Sequence, residues 1–333
     1  MDLKADFRFN AVSGKPPEQL PASNQLGPLA MLKGLWKGHG FNQIWRPFER
    51  AKGSDRFLEL NETLETLEFI EIPGNIPNRG LLQPDINVHA LRYLQQVQDA
   101  HVVDSSGNFA GIHVEPGLWI HAPKTSGPSE PSSIARLANI PHGTSLVAQG
   151  VALPATNRPP RFTPINLMPF FITAPLAPLS QPQPLPSEFP ELDLSIPSDF
   201  RTSQDDIPNV TQDMVNNPAT VLEMGVAEKH VVATAALVVS TDPTAFPVSS
   251  PPMPSGLNLP GSGLSNIAFL QGLPSPGEPN AQAARMQAIF WIETIQTSDG
   301  RVYMQLQYQQ IVLLKFNTLS WPHVSVATLI KQE

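Results

Sequence analysis

The chain has 333 residues, no cysteine, 15% charged residues and a net charge of −8. Without cysteine it can form no disulfide, zinc–thiolate site, iron–sulfur cluster, thiolate-ligated haem or cysteine nucleophile. The acidic balance argues against a nucleic-acid partner. The absence of a long apolar run or an apolar leader at Met1–Asp6 argues against a membrane partner and for a soluble, cytoplasmic protein.

Residues 1–27 read as an irregular arm, and 28–333 as one β-rich domain. Leu29–Leu32 is a short apolar turn that runs into Gly34-Leu35-Trp36-Lys37-Gly38-His39-Gly40. Such a segment suits the first strand of a small closed barrel. The turn covers one end, Trp36 packs over the floor and the glycines let the strand bend. Further strands are expected at 34–46, 56–72, 86–98 and 109–121. Residues 134–152 read as a hairpin folding back through Pro141-His142-Gly143-Thr144. Residues 151–200 then hold twelve prolines, and 251–280 hold seven more. Proline cannot donate to a strand ladder, so both regions are insertions, at about 153–218 and 243–280. The first also carries Phe162, Leu167, Met168 and Phe170, which suggests that it packs over the barrel.

Strands return at 231–241 and 281–297. Asp299-Gly300 marks a tight hairpin. From Val302, Tyr303, Gln305, Gln307 and Gln309 alternate with Met304, Leu306, Tyr308 and Val312 on the other face. Residues 322–331 form the last strand. The expectation is all-β: a single antiparallel up-and-down barrel of roughly 8–10 strands, calycin-like, with two long proline-rich insertions and room for one small ligand.

Four segments together resemble the nitrobindin family of haem-binding barrels, whose fold is like that of fatty-acid-binding proteins. They are Leu26–Gly40, His113-Val114-Glu115-Pro116-Gly117-Leu118-Trp119, Ile134–Gly150, and Pro322-His323-Val324-Ser325-Val326-Ala327-Thr328-Leu329. The insertions have no counterpart in that family. Ile120 and His121 follow Trp119 where the family strand carries a basic residue. Trp45-Arg46-Pro47 replaces its aromatic-proline-threonine. The resemblance implies haem b, with His323 as the iron ligand. Reaction with nitric oxide, peroxynitrite or peroxide would follow, as in a haem-dependent isomerase or weak peroxidase.

The residues admit two readings at each position. Among eight histidines, His323 is the metal-ligand candidate: Pro322 fixes the backbone before it, and Ser325 and Ala327 leave its face shallow. The alternative is a histidine that caps a strand at the rim and binds nothing. His113, on one face with Glu115 and His121, is the catalytic and distal cofactor-binding candidate. The alternative is a strand histidine paired with Glu115. Trp36 and Trp119 are cofactor-wall candidates, or simply core. His142, at a hairpin tip, is expected to face solvent. No metal-ligand spacing, G-x-S-x-G elbow or phosphate loop appears.

Two other functions fit the same fold. A non-enzymatic carrier of an apolar small molecule, such as a fatty acid, would need a charged anchor, with Arg46, Arg92 and Arg136 as candidates. An interaction module would use the insertions as its surface. Their apolar content suggests instead that they fold onto the barrel or form a homo-oligomer contact.

Overall fold

The structure is a computed structural model. It describes residues 25–47, 56–74, 76–79, 85–126, 129–140, 144–165, 167–171, 189–241, 282–316 and 319–332. The insertion expected at 243–280, His142 and nearly all of the N-terminal arm lie outside these residues.

Ten antiparallel strands form the barrel: β1 (Gly34–Pro47), β2 (Arg56–Glu71), β3 (Ile86–Val103), β4 (Phe109–Ala122), β5 (Ser133–Ile140), β6 (Thr144–Thr156), β7 (His230–Ser240), β8 (Gln282–Gln296), β9 (Val302–Phe316) and β10 (Leu319–Lys331). Each pairs with the next, and β10 pairs with β1 to close the sheet. Short strands at Ile76–Asn78 and Phe170–Phe171 add to β3 and β10. The calycin-like barrel expected from the alternation is the fold observed. The strand limits differ at the edges: β3 runs on to Val103, β6 continues to Thr156 into the start of the first insertion, and β10 begins at Leu319.

Closure depends on Gly38 and Gly40. A Cβ on Gly38 would lie 2.0 Å from the Thr328 carbonyl oxygen, and one on Gly40 would lie 2.5 Å from that of Val326. These glycines let β10 approach β1 closely along the seam. At the adjoining end of the barrel, the 3-10 turn Gly27–Met31 and the Leu32 that follows it bury Leu29, Met31 and Leu32, and the Trp36 indole donates to the Leu32 carbonyl at 2.6 Å. His121 holds this turn, its Nδ1 lying 2.9 Å from the Gln25 carbonyl. This is the closed end foreseen in the sequence.

The interior is layered. Next to the closed end it is apolar, with Trp36, Leu67, Phe69, Leu91, Leu306 and Leu329 in one core. Alternation sets this face, since successive strand residues point to opposite sides. On β9 the even residues Met304, Leu306, Tyr308 and Val312 enter that core, while Gln305 and Gln307 point outwards.

Those outward glutamines are nevertheless buried, because the described part of the first insertion coats the barrel. Phe162 meets the face of Trp291 edge-on at 4.9 Å, Phe189 meets Trp45 at 5.5 Å, and the Trp45 indole donates to the Leu167 carbonyl. Helices α1 (Gln212–Asn216) and α2 (Ala219–Val226) bring Met214, Val215 and Leu222 into a second core with Phe41, Leu58, Leu60 and Val326. The glutamine row fixes the coat by its backbone. Gln305 donates to the Gly225 carbonyl, Gln307 to that of Leu222 and Gln309 to that of Thr163. An amide side chain suits this role because it reaches backbone groups without bringing a charge into the interface.

Candidate functional site

At the end opposite the closing turn, the inward face changes character. On β1 it passes from Trp36 through Gly38 and Gly40 to Asn42. On β2 it passes from Phe69 and Leu67 to Glu65, Thr63 and Asn61. On β3 it passes from Leu91 and Tyr93 to Gln95, Val97 and Asp99. The other wall stays apolar through Met286 and Val312.

His323 belongs to this end. It pairs with Ile44 of β1 and Val312 of β9. By alternation it shares the inward face with Ser325, Ala327 and Leu329, the last two in the interior core. Val324 and Val326, on the opposite face, are buried beneath the coat. His113 pairs with Val97 near the start of β4. In the ring β10-β1-β2-β3-β4 it stands four strands from His323, so the two histidines rise from nearly opposite walls near the same end.

His113 stands beside a buried ionic cluster, its Nε2 3.5 Å from Glu115 Oε2. Glu115 accepts from Tyr93 and, at 2.5 Å, from Arg136 Nη2. Arg136 also donates to the Tyr93 hydroxyl at 3.0 Å and to Gln310. Burial alone would raise the Glu115 pKa. Arg136, with the hydrogen bonds from His113 and Tyr93, outweighs that and holds it at about 2. Burial likewise pushes the Tyr93 hydroxyl up. Trp119 is a wall of this cluster: Phe290 meets it edge-on at 5.1 Å, and the Arg136 guanidinium lies 6.0 Å from its ring.

A second carboxylate sits nearby. Glu65 accepts from Tyr308 at 2.6 Å, from Thr63 at 2.8 Å and from Gln95. Its pKa is raised, because burial outweighs those three donors. The interior thus holds one carboxylate kept ionised by a guanidinium and one pushed towards its neutral form.

The structure therefore brings His113 and His323 to one end, sets Trp119 in the layer beneath them, and leaves Trp36 at the closed end. Of the arginines, Arg46 pairs with Glu59 at 2.7 Å, Arg92 is exposed, and Arg136 is neutralised by Glu115. Asn42, Asn61, Glu65, Tyr93, Asp99 and Tyr308 were not singled out from the sequence. Their signal was present: on three neighbouring strands the inward residues turn from apolar to polar towards one end. Among the described residues, no group of three His, Asp or Glu side chains is arranged to hold a metal ion.

The fold defines a class, a closed ten-strand β-barrel of calycin-like form, which can hold a small ligand. No protein-family model matches the chain, and neither does any curated protein.

Proposed function

We propose that this barrel binds haem b at its polar end, where His323 would hold the iron and His113 would face it from across the barrel. The observation that carries the reading is the pair of histidines turned inward from nearly opposite walls. An imidazole suits the iron of a chain without thiolates. Ser325 and Ala327, on the same face as His323, are small enough for a flat macrocycle to lie against. Met286 and Val312 supply apolar wall.

When bound, haem would supply the redox and ligand-exchange chemistry, as in the reactions with nitric oxide, peroxynitrite or peroxide that the nitrobindin-like segments imply. The chain's part would be to orient, to exclude water and to hold a proton. Glu115 stays ionised beside His113 and gives its imidazole a hydrogen-bond partner of fixed position. Arg136, tied to Tyr93 and Gln310, fixes Glu115 in turn.

The carrier reading has less support. A fatty-acid carboxylate would need a cationic anchor, and Arg136 already faces Glu115 at 2.5 Å while Arg46 faces Glu59 at 2.7 Å. Resonance Raman spectroscopy of the haemin-loaded, reduced protein tests the haem reading. An iron–histidine stretch is expected in the wild type, lost in His323→Gly and restored by added imidazole. A stretch retained in His323→Gly would remove His323 from the site.

A further inference from the structure

We infer that the β1–β2 wall of the polar end is a subsite for a hydrogen-bond-donating head group, a hydroxyl or a protonated amine, carried on an apolar small molecule. The inference rests on the reading that this end takes a small ligand, but not on that ligand being haem.

Asn42 and Asn61 are direct register partners on neighbouring strands, both on the inward face. They are 4% and 7% exposed, and the Oδ1 of each is buried without a hydrogen-bond partner in the protein. Buried polar atoms are rarely left so, because the desolvation of each is then uncompensated. For Asn61 the orientation is set by its neighbour. Its Nδ2 donates to Asp99 Oδ2 at 3.0 Å, while Asp99 Oδ1 accepts from the backbone N–H groups of His101 and Val102. Turning the Asn61 amide over would set its oxygen against a carboxylate. What Asn61 offers the interior is therefore an acceptor.

The wall around it has the same sign. Asp99 is an acceptor whose oxygens are directed to Asn61 and the chain. An anionic head group would meet the Asn61 oxygen beside the Asp99 carboxylate and is disfavoured. A hydroxyl can donate to one of the two asparagine oxygens, and an ammonium to both. Ser325, opposite Asn42 on β10, is small, and Val312 and Met286 offer an apolar surface for the rest of the molecule.

Calorimetric titration of the purified full-length chain with 1-octanol, octylammonium and octanoate tests the subsite. Binding of octanol or octylammonium to one site is expected, with octanoate at least about tenfold weaker. Which of the first two binds more tightly distinguishes a hydroxyl from an amine ligand. Asn42→Leu leaves the Asn61–Asp99 bond in place and should weaken octylammonium at least about tenfold, the loss of one charge-assisted hydrogen bond. Asn61→Leu should do at least as much. Octanoate binding as tightly as the other two, no binding of either octanol or octylammonium, or an octylammonium affinity unchanged in Asn42→Leu would overturn the inference. The last result would mean that the two amides satisfy each other. Failure of haemin to bind, with octanol selectivity intact, would instead count against the haem reading alone.

Discussion

Arg136 and Glu115 face each other inside the barrel, Nη2 to Oε1 at 2.5 Å, with both side chains shut off from solvent. A buried pair like this is a poor source of net stability, since desolvating two ions offsets much of their attraction. Its strength lies in what happens when it is broken. Glu115→Ala would leave the guanidinium among Tyr93, Trp119 and Phe290 without a counter-charge, and should cost about 3–5 kcal/mol. The double variant Glu115→Met/Arg136→Met should recover most of that loss. Chemical denaturation of the three proteins measures it.

The same pair sets acid stability. Glu115 has a folded pKa of about 2 against an ordinary 4.5. Its contribution is therefore complete above the ordinary value and disappears as pH falls from about 4.5 through about 2. The size is on the order of 3 kcal/mol. Thermal melting between pH 2 and 6 should show a steep acid limb in the wild type and a shallower one in Glu115→Gln.

Glu293 works in the opposite sense. It lies beneath α2, where Gln305 donates to it and Lys229 reaches the other end of the same amide. Burial pushes its pKa up to about 8, against the weaker pull of Gln305 and Lys229. Its folded pKa exceeds the unfolded one, so stability is greatest below about 4.5 and declines as pH rises towards 8. Glu293→Gln should melt like the wild type near pH 4.5 and at a higher temperature near pH 8. A variant that melts lower throughout would show that the carboxylate is held ionised.

The coat should detach before the barrel opens. Gly225 is placed where a Cβ would come within 2.3 Å of Gln307 Nε2 and 2.5 Å of Thr328 Oγ1. Gly225→Ala should therefore push α2 off β9 and β10, and Gln307→Ala should free the Leu222 carbonyl at a cost of about 1–3 kcal/mol. Hydrogen exchange should rise in 189–229 in both variants, with the interior strands unchanged.

Much of this was legible in the sequence. The period-2 alternation of 302–316, the Asp299-Gly300 hairpin and the Gly34–Gly40 strand each specify local geometry, so the barrel could be read strand by strand. The proline clusters marked where pairing stops, though β6 overran its expected end because Pro154 sits near the end of a strand. The burial of Gln305 and Gln307 was not legible. Alternation tells which face a residue is on, not that a coat will cover the outer one. The polar end was half legible. His113 and His323 stood out by residue type, whereas the asparagines, Glu65 and Tyr308 gain meaning only when register sets the strands side by side.

The central claim is haem binding through His323. Titration of haemin into the wild type and His323→Ala, followed by absorption, tests it most directly. The account predicts a sharp band that saturates at one haemin per chain in the wild type and is weakened or shifted in the variant. A broad band like that of free haemin, the same in both proteins, would contradict it.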